Sequence, residues 1–471
     1  MLASRRPRRS DGDELFEKIL IANRGEVAIR VIRACRELGC KTVAIFSEVD
    51  RDALHVRLAD EAYCVGPAQS ARSYLNVANI ISAAELTGVD AVHPGYGFLA
   101  ENSGFAEICA SHGLKFIGPP VAAISLMGDK ASAKQRMSES DIPVIPGSDV
   151  VTTLEQAKAF CAEAGYPVLI KATAGGGGKG MRMVGREADL AAGLTAASGE
   201  AQAAFADGRV YVEKLLVKPR HIEVQVLADE FGHVIHVGER DCSIQKPSHQ
   251  KLLEEAPAPN LAHDVRARLG AAAVQAARST DYSNAGTLEF LVDDDKFYFM
   301  EMNTRIQVEH PVTEVVYGID LVKWQIRIAA GERLSVRQEA IRPLGHAIEC
   351  RINAEDVENR FMPAAGKLGD VIMSGGPGIR VDTHIYSGAE VPPYYDSMLA
   401  KIIAHDHHRD NAIVRMRRAL AETDIRGVAT TIPVHERILS TPSFVQGRTH
   451  VTWLREEILQ KGPLAGAAHG A

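Results

Sequence analysis

The chain has 471 residues, of which 24% are charged and 46% are hydrophobic, and its formal net charge is −7. This length allows two or three domains with sizeable cores, and the negative charge argues against a general nucleic-acid-binding protein. No apolar run is long enough to span a bilayer, and the seven cysteines are dispersed without a C-x-x-C pair. We therefore expect a cytoplasmic protein with reduced thiols that binds neither nucleic acid nor membrane.

The N-terminal segment, residues 1–17, carries four arginines before its first acidic residue, Asp11. It lacks the apolar core of a secretory signal. An organelle transit peptide would be poor in acidic residues and amphipathic, and this segment is neither. We expect a disordered basic extension.

The first predicted elements form a strand–helix–strand unit. Lys18–Asn23 is a short apolar run, Gly25–Leu38 has apolar residues at helical spacing, and Thr42–Phe46 is rich in β-forming residues. Such a unit implies two parallel strands joined by a right-handed crossover. The alternation continues to about residue 120, which predicts an N-terminal α/β domain.

A run of glycines follows the predicted strand Tyr166–Thr173. Lys171 lies near the end of that strand, and Gly175–Gly178 come shortly after it. Backbone without side chains can approach a phosphate closely and direct several N–H groups at it. The run matches neither G-x-x-x-x-G-K-[ST] nor G-x-G-x-x-G, and a flexible linker is the alternative interpretation.

A predicted β-hairpin brings two glutamates together. Its β-rich runs, Thr287–Val292 and Phe297–Asn303, flank a turn made of three aspartates and a lysine. Glu289 and Glu301 should be directly or nearly opposed on one face. Two like charges at this distance are destabilising without a cation between them, and carboxylate oxygens suit Mg²⁺. A solvated charged face is the alternative.

The stretch from Glu301 to Glu309 alternates polar and largely apolar residues. Its odd positions also include Asn303, Arg305 and Gln307. A period of two predicts an extended chain with one packing face and one face that carries two carboxylates, two amides and a guanidinium. A plain solvated strand is the alternative, but this set of groups favours metal and anion binding.

Two further polar segments are ambiguous when each is taken alone. Residues 239–251 mix donors, acceptors and charges, and a polar loop is the default interpretation. Residues 349–356 place Arg351 on a strand-like run. An arginine can stabilise a developing oxyanion, but a structural salt bridge is favoured for this segment by itself.

In combination, these segments resemble the biotin carboxylase component of biotin-dependent carboxylases, an enzyme of the ATP-grasp superfamily. The resemblance extends from about residue 18 to residue 455. It rests on eight motifs in order: Ile21–Glu26, His93–Leu99, Met127–Lys130, Lys171–Met181, Glu239–Ser243, Glu301–Pro311, Glu349–Asp356 and Pro392–Met398.

The resemblance implies a multidomain α/β and α+β fold. After the extension at 1–17, it implies a Rossmann-like (pre-ATP-grasp) biotin carboxylase N-terminal domain at 18–126. An ATP-grasp domain follows at 127–340, with a mobile Gly-rich lid at about 143–215. The α+β biotin carboxylase C-terminal domain is expected at 341–459, followed by a frayed tail at 460–471.

The resemblance also implies roles for individual residues. The expected ATP contacts are Lys130, Lys171, the lid glycines Gly175, Gly176, Gly177 and Gly178, the adenine-facing hinge Glu213, Lys214, Leu215 and Leu216, and His221, Gln245, His249, Glu289 and Glu301. The expected ligands of Mg²⁺ (or Mn²⁺) are Glu289, Glu301 and Asn303. Bicarbonate would be bound by Lys251, Arg305 and the backbone of Val308, with Glu309 as its general base. The biotin site would contain Arg351, which stabilises the enolate, and Tyr96 and Asp396.

The implied reaction is the ATP-dependent carboxylation of biotin through carboxyphosphate, as the first half-reaction of an acyl-CoA carboxylase, with acetyl-CoA as the expected acceptor. No Met-Lys-Met biotinylation motif is present. Biotin is therefore expected on a separate biotin carboxyl carrier protein, and the carboxyltransferase is expected to be a separate protein as well. The resemblance further implies a homodimer.

One departure from the family pattern concerns the bicarbonate segment. The family usually has two residues, often both arginine, between the glutamine and the H/N-Q-K triplet, whereas Lys246, Pro247 and Ser248 make three here. The extra residue must change the loop that carries His249 and Lys251. Lys179, where several relatives carry arginine, preserves the charge.

Three alternative functions stay open. The chain could be another ATP-grasp carboxylate ligase. It could be the biotin carboxylase component of a propionyl-CoA, pyruvate or urea carboxylase. A catalytically impaired assembly partner is the third, but every expected catalytic side chain is present.

Overall fold

The computed structural model describes residues 15–173, 181–205 and 207–460. The predicted phosphate-binding glycines Gly175–Gly178 lie outside the described residues, as do most of the predicted basic extension and nearly all of the predicted tail. In the described part of the chain, no helix has the length and hydropathy needed to cross a membrane. All seven cysteines are free thiols.

The N-terminal part contains a parallel five-stranded sheet with strand order β3-β2-β1-β4-β5. The predicted strand–helix–strand unit is confirmed, because Lys18 in β1 pairs in parallel with Lys41 in β2 after one crossover helix. The elements are β1 (Lys18–Ile21), α1 (Gly25–Glu37), β2 (Lys41–Ser47), α2 (Leu54–Leu58), β3 (Glu61–Gly66), α3 (Val77–Thr87), β4 (Ala91–His93), α4 (Ser103–Ser111) and β5 (Lys115–Phe116).

A small antiparallel sheet with strand order β6-β9-β7-β8 follows. It packs on a core that includes Val168, Ile170 and Val212. The elements from residue 121 to residue 214 are α5 (Val121–Gly128), α6 (Lys130–Glu139), β6 (Gly147–Val151), α7 (Leu154–Ala164), β7 (Val168–Ala172), β8 (Met181–Val184), α8 (Leu190–Phe205) and β9 (Val210–Lys214).

The largest sheet has eight strands and joins the central and C-terminal parts of the chain. Its order is β14-β13-β10-β11-β12-β15-β22-β20, where β20 is Ile379–Thr383 and β22 is Met398–Asp406. The central elements are β10 (Arg220–Ala228), β11 (Val234–Gln245), β12 (Lys251–Ala256), α9 (His263–Ser279), β13 (Asn284–Asp293), β14 (Lys296–Asn303), α10 (His310–Tyr317) and α11 (Leu321–Ala329). The two parts meet where β12 pairs with β15 (His346–Asn353), which places Glu254 opposite Glu349.

The C-terminal part packs helices and short strands around a core that includes Ile348, Ile402 and Trp453. Its remaining strands are β16 (Glu355–Asp356), β17 (Met362–Pro363), β18 (Gly366–Lys367), β19 (Val371–Ile372), β20 (Ile379–Thr383), β21 (Glu390–Val391), β22 (Met398–Asp406) and β23 (Asp424–Ile425). Its helices are α12 (Arg409–Glu422), α13 (Ile432–Ser440) and α14 (Pro442–Val445), followed by a π-helical turn at Leu454–Leu459.

The prediction of one extended strand from Glu301 to Glu309 is wrong beyond Asn303, where β14 ends. The N–H of Thr304 donates to the carboxylate of Glu101 at 3.0 Å, so it does not continue the strand ladder. Glu309 is the N-cap residue of α10. The polar side chains still meet around one site, but they do so through a turn into a helix.

The interpretation of residues 239–251 as a polar loop is also wrong. Most of the segment lies in β11 and β12, and only residues 246–250 form a turn. Buried charges are tolerated when each has a partner. Arg240 forms an ion pair with Glu223, and Arg220 reaches Asp241 at 2.7 Å.

Candidate active site

The hairpin of β13 and β14 places Glu289 directly opposite Glu301, as predicted. The register shifts between Glu289 and Phe290, which marks a β-bulge beside this pair. The two carboxylates differ in environment, because the Glu289 side chain is 5% exposed and that of Glu301 is 39% exposed. Glu301 contacts Lys130 at 3.4 Å and is therefore the solvent-facing member of the pair.

Glu289 is surrounded by four nitrogen donors. Its Oε1 atom accepts hydrogen bonds from Lys251 at 2.8 Å, Asn303 Nδ2 at 2.8 Å and Gln307 Nε2 at 2.7 Å, and its Oε2 atom lies 2.9 Å from His221 Nε2. Burial alone would raise the pKa of Glu289, but Lys251 and His221 outweigh burial and hold the pKa well below its usual range. Glu289 is therefore a carboxylate at neutral pH.

Lys251 lies at the centre of three buried carboxylates. Its Nζ atom is 2.5 Å from Glu223, 2.8 Å from Glu289 and 2.7 Å from Glu309. Burial by itself lowers the pKa of Lys251, but the three carboxylates raise it well above its usual value. Lys251 thus remains a cation, and it connects the hairpin of β13 and β14 to the expected base Glu309.

Glu309 is held by two cations on opposite oxygens. Lys251 contacts Oε1, and Arg351 Nη2 donates to Oε2 at 2.8 Å. Burial raises the pKa of Glu309, but these two cations reverse that effect and hold the pKa well below its usual range.

Arg351 also lies 2.5 Å from Glu254. Burial raises the pKa of Glu254 to about 7. Arg351 therefore makes the structural salt bridges expected for its segment alone while it also contacts Glu309.

The cluster of Arg240 and Glu223 was missed from the sequence. Arg240 is fully buried and donates through Nη2 to Gln307 Oε1 at 2.9 Å, so it helps to position Gln307, a residue to which the sequence assigned no role. Its other partners are Glu223, Gln225, Thr287 and Thr313. The period of two in Ile222–Val226, where apolar and polar residues alternate, was the signal that could have revealed this polar face.

A cavity of about 500 Å³ opens beside Arg351. It contains the expected biotin residues Tyr96 and Asp396 together with the expected bicarbonate residues Arg305 and Val308. The backbone carbonyl of Val308 accepts a hydrogen bond from Lys401 Nζ at 2.8 Å. Asp396 accepts from the N–H of Met398 at 2.9 Å. The tertiary structure therefore brings the residues expected to bind biotin and those expected to bind bicarbonate to one cavity.

Arg305 links this cavity to the hairpin. Its Nη2 atom donates to Asn303 Oδ1 at 2.8 Å, and its Nε atom lies 2.9 Å from Glu101. The Asn303 carboxamide thus accepts from Arg305 through its oxygen and donates to Glu289 through its nitrogen. The arginine side chain is about one-fifth exposed, so an anion can reach it from the cavity.

The expected ATP residues fall into separate groups. Lys171 forms an ion pair with the buried Glu213, whereas Lys130 lies at Glu301 on the hairpin. Lys214 donates to the carbonyls of residues 165 and 166, and the N–H of Leu215 donates to Pro167 at 3.1 Å. Leu216 follows in the same connection to β10. The segment 213–216 is therefore held against the small sheet.

Three of the expected ATP residues are His221, Gln245 and His249, and only the first two are in contact. Gln245 and His221 are both buried, and Gln245 Nε2 lies 2.9 Å from His221 Nδ1. His249 does not join them, because it is exposed in the turn between β11 and β12 with a φ of +64°.

The donor set of the hairpin fits a hard divalent cation. Glu289 and Glu301 offer carboxylate oxygens from paired strands, and Asn303 adds an amide oxygen, as Mg²⁺ prefers. Within the described residues, two groups of potential ligand atoms lie within 4.8 Å of one another, and both include Glu223. They are His221, Glu223 and Glu289, and Glu223, Cys242 and Glu309. Glu301 is in neither group.

Three family models match consecutive parts of the chain. Residues 15–124 match the biotin carboxylase N-terminal domain, residues 129–337 match the ATP-binding domain of the carbamoyl-phosphate synthase L chain, and residues 349–456 match the biotin carboxylase C-terminal domain. These regions follow the division into a parallel sheet, a central ATP-binding part and a C-terminal part.

Relatives in sequence and a solved structure agree with the family models. The chain is 55% identical over 443 residues to a biotin carboxylase of Nostoc sp., with 94% of this chain and 99% of that protein covered. It is 52% identical to a pyruvate carboxylase component of Methanothermobacter thermautotrophicus, with 94% and 90% covered. The crystal structure of the 2-oxoglutarate carboxylase biotin carboxylase domain dimer of Hydrogenobacter thermophilus, with MgADP, ADP and bicarbonate, is 49% identical and has a TM-score of 0.86, with 94% and 98% covered. This chain therefore belongs to the biotin carboxylase family, whose members are ATP-dependent carboxylases.

Proposed function

We propose that this protein carboxylates biotin on a carrier protein with ATP and bicarbonate, as the first half-reaction of an acyl-CoA carboxylase that acts on acetyl-CoA. The observation that carries the proposal is the position of Glu309. One of its oxygens contacts Lys251, which also reaches the hairpin of β13 and β14. The other contacts Arg351 at the edge of the cavity. A single base is thus shared by the phosphoryl-transfer side and the acceptor side of the site.

We propose the following roles on the ATP side. Mg²⁺, held by Glu289, Glu301 and Asn303, would offset the charge of the transferring phosphoryl group. The remaining proposed ATP contacts are those assigned above. They include Lys130, Lys171, the segment 213–216, His221 and Gln245. His249 is exposed in its turn, whereas His221 and Gln245 are buried.

Glu309 is proposed to take the proton of bicarbonate while a bicarbonate oxygen attacks the γ-phosphorus of ATP. The products of this step are carboxyphosphate and ADP. The pKa of Glu309 is low because of Lys251 and Arg351. A bicarbonate anion bound to Lys251 and Arg305 brings a negative charge close to Glu309, which raises the pKa of the carboxylate and makes it a stronger base.

The second step is proposed to use the cavity. Carboxyphosphate separates into CO₂ and phosphate, and the phosphate takes the N1′ proton of biotin. The resulting enolate attacks CO₂, and the Arg351 guanidinium stabilises the enolate oxygen. Tyr96 and Asp396 line the same cavity and are proposed to hold the biotin ring.

We propose the domain division given by the sequence, with boundaries at 126/127 and 340/341. The three matched regions support it, because their gaps lie at residues 125–128 and 338–348. A homodimer is supported by the dimer in the Hydrogenobacter structure. The proposed partners are a biotin carboxyl carrier protein and a carboxyltransferase subunit. The seven free thiols support a cytoplasmic location.

The acceptor differs among the relatives of this chain. A relative of similar identity belongs to a pyruvate carboxylase, and the solved structure belongs to a 2-oxoglutarate carboxylase. Purification of the chain with its carrier protein and carboxyltransferase would decide between the acceptors. Labelled carboxyl transfer to acetyl-CoA is expected, and transfer only to pyruvate or 2-oxoglutarate would contradict the acetyl-CoA assignment.

The carboxylation itself is tested with purified protein, labelled bicarbonate and free biotin. ATP hydrolysis should depend on both bicarbonate and biotin, and labelled carboxybiotin should form. Hydrolysis that ignores biotin and yields no carboxybiotin would contradict the proposal. A stable acyl–amine product would instead favour another carboxylate ligase of the ATP-grasp superfamily.

A further inference from the structure

The turn between β11 and β12 has a defined backbone geometry. The N–H of His249 donates to the carbonyl of Lys246 at 2.8 Å, and the N–H of Lys246 donates to the carbonyl of Gln250 at 2.9 Å. Pro247 occupies the second position of the turn, which suits its fixed φ. His249 follows with a φ of +64°, a left-handed conformation that is unfavourable for a non-glycine residue and persists only where surrounding contacts hold it.

Lys246 supplies contacts that hold this turn. Its side chain is only 3% exposed, although a lysine in a surface turn usually extends into solvent. The ammonium forms an ion pair with Glu355, donates to Gln250 Oε1 at 2.8 Å and lies 5.2 Å from the ring centre of Phe361. Burial of an ammonium is unfavourable unless it is paired and hydrogen-bonded, so these contacts define one position for the side chain.

Two of the three partners of Lys246, Glu355 and Phe361, belong to one small hairpin of the C-terminal part. Glu355 lies in β16 and pairs with Pro363 in β17. Phe361 lies in the connecting turn with a φ of +59°. Lys246 thus touches both the start and the turn of this hairpin. Glu355 also accepts from Ser397 Oγ at 2.5 Å and from Asn353 Nδ2 at 3.2 Å, which ties the contact to the strand segment next to Asp396.

Gln250 transmits this contact to the cavity. Its Oε1 atom accepts from Lys246, and its Nε2 atom donates to Asp396 Oδ2 at 3.5 Å. Gln250 lines the cavity together with Arg351 and Asp396. Its carboxamide is therefore held at both ends, and its orientation in the cavity wall depends on Lys246.

We infer that Lys246 is a positioning residue for the acceptor site. Through Glu355 and Gln250, it fixes the longer turn against the C-terminal part and shapes the cavity wall against which the biotin ring lies. This inference rests on the proposed function, because it assumes that biotin occupies the cavity beside Arg351. It gives the unusual Lys-Pro-Ser segment a specific role in the affinity for biotin.

The test measures steady-state kinetics of carboxybiotin formation with free biotin, ATP and bicarbonate varied in turn. For Lys246→Met, we expect the KM for biotin to rise about tenfold or more, with changes of less than threefold in the KM values for ATP and bicarbonate. Lys246→Arg keeps the charge and should restore most of the biotin affinity. Ser248→Ala, in the exposed part of the same turn, is the matched control and should behave as the wild type.

A second variant covers the case in which Lys246→Met does not fold. Gln250→Leu leaves the Lys246–Glu355 ion pair in place and should also raise the KM for biotin about tenfold. A biotin KM within twofold of wild type in either folded variant overturns the inference, as does a rise of the same size in all three KM values. If the wild-type protein forms no carboxybiotin, the proposed function fails before the variants are compared.

Discussion

The Nη2 atom of Arg351 lies 2.8 Å from the Oε2 atom of Glu309, and both side chains are buried. Arg351 comes from β15 in the C-terminal part, whereas Glu309 occupies the N-cap position of α10, the helix that follows the hairpin of β13 and β14. The same arginine reaches Glu254 at 2.5 Å. One guanidinium therefore joins the proposed base to a second buried carboxyl group, and the charge of each depends on the other two.

Replacement of Glu309 by Gln is expected to lower the rate of carboxybiotin formation at least 100-fold. A glutamine has nearly the same shape but cannot accept the bicarbonate proton, and general base catalysis contributes about 10²–10⁴-fold. The measurement is incorporation of labelled bicarbonate at saturating ATP and biotin. Glu107→Gln, at an exposed position of α4, is the control. Unchanged incorporation by Glu309→Gln would exclude the assigned role.

Replacement of Glu301 by Gln is expected to raise the Mg²⁺ concentration required for half-maximal ATP hydrolysis about tenfold. The variant loses a charged oxygen ligand for a hard cation, but it disturbs little of the buried network because Glu301 contacts Lys130 near solvent. A Mg²⁺ titration of the hydrolysis rate makes the measurement. The control is Asp294→Asn in the exposed hairpin turn, which should keep the fold and removes a charge away from the proposed metal site. The same Mg²⁺ dependence in both variants would argue against a metal site at Glu301.

Replacement of Arg240 by Met is expected to lower the free energy of unfolding by about 3–5 kcal/mol, because it leaves the buried carboxylate of Glu223 without this partner. Urea denaturation followed by circular dichroism measures the change. The control is Arg417→Met, at an exposed position of α12, for which a change within about 0.5 kcal/mol is expected. An equal effect of the two substitutions would contradict the structural role of Arg240.

Glu26 should make stability depend on pH. Burial raises the pKa of Glu26 to about 7 from 4.5, although Lys401 opposes the shift. The folded state thus binds the proton more tightly, so the contribution is fully present below pH 4.5 and is lost as the pH rises through 7. Between pH 5 and pH 8, the wild type should lose roughly 2 kcal/mol more stability than Glu26→Gln. The measurement is the free energy of unfolding of both proteins at several pH values in this range. If the two free energies changed by the same amount with pH, Glu26 would not titrate in this way.

Local patterns were sufficient to predict the hairpin of β13 and β14. The β-rich runs around the aspartate turn predicted that Glu289 faces Glu301, and the observed register agrees. The first strand–helix–strand unit was equally local. The continuation of the strand beyond Asn303 was predicted wrongly, because the N–H of Thr304 is taken by Glu101, a residue about 200 positions earlier.

Other parts of the site depend on distant segments. The role of Arg240 was missed because its charged partner, Glu223, lies in another strand, and a buried arginine is indistinguishable from a surface arginine in the sequence alone. The segment 239–251 was interpreted as a loop for the same reason, since polar composition predicts exposure unless the partners are known.

The sequence by itself determined the family, through motifs that span nearly the whole chain, and the local pairing of Glu289 with Glu301, because a hairpin register is set by its own turn and its period of two. Only the tertiary structure decided that Lys251, Glu309 and Arg351 meet, because β12 and β15 pair across about 100 residues of chain. It also decided their charge states. Desolvation and the distance to opposite charges set each pKa, and both quantities exist only after distant strands have packed together.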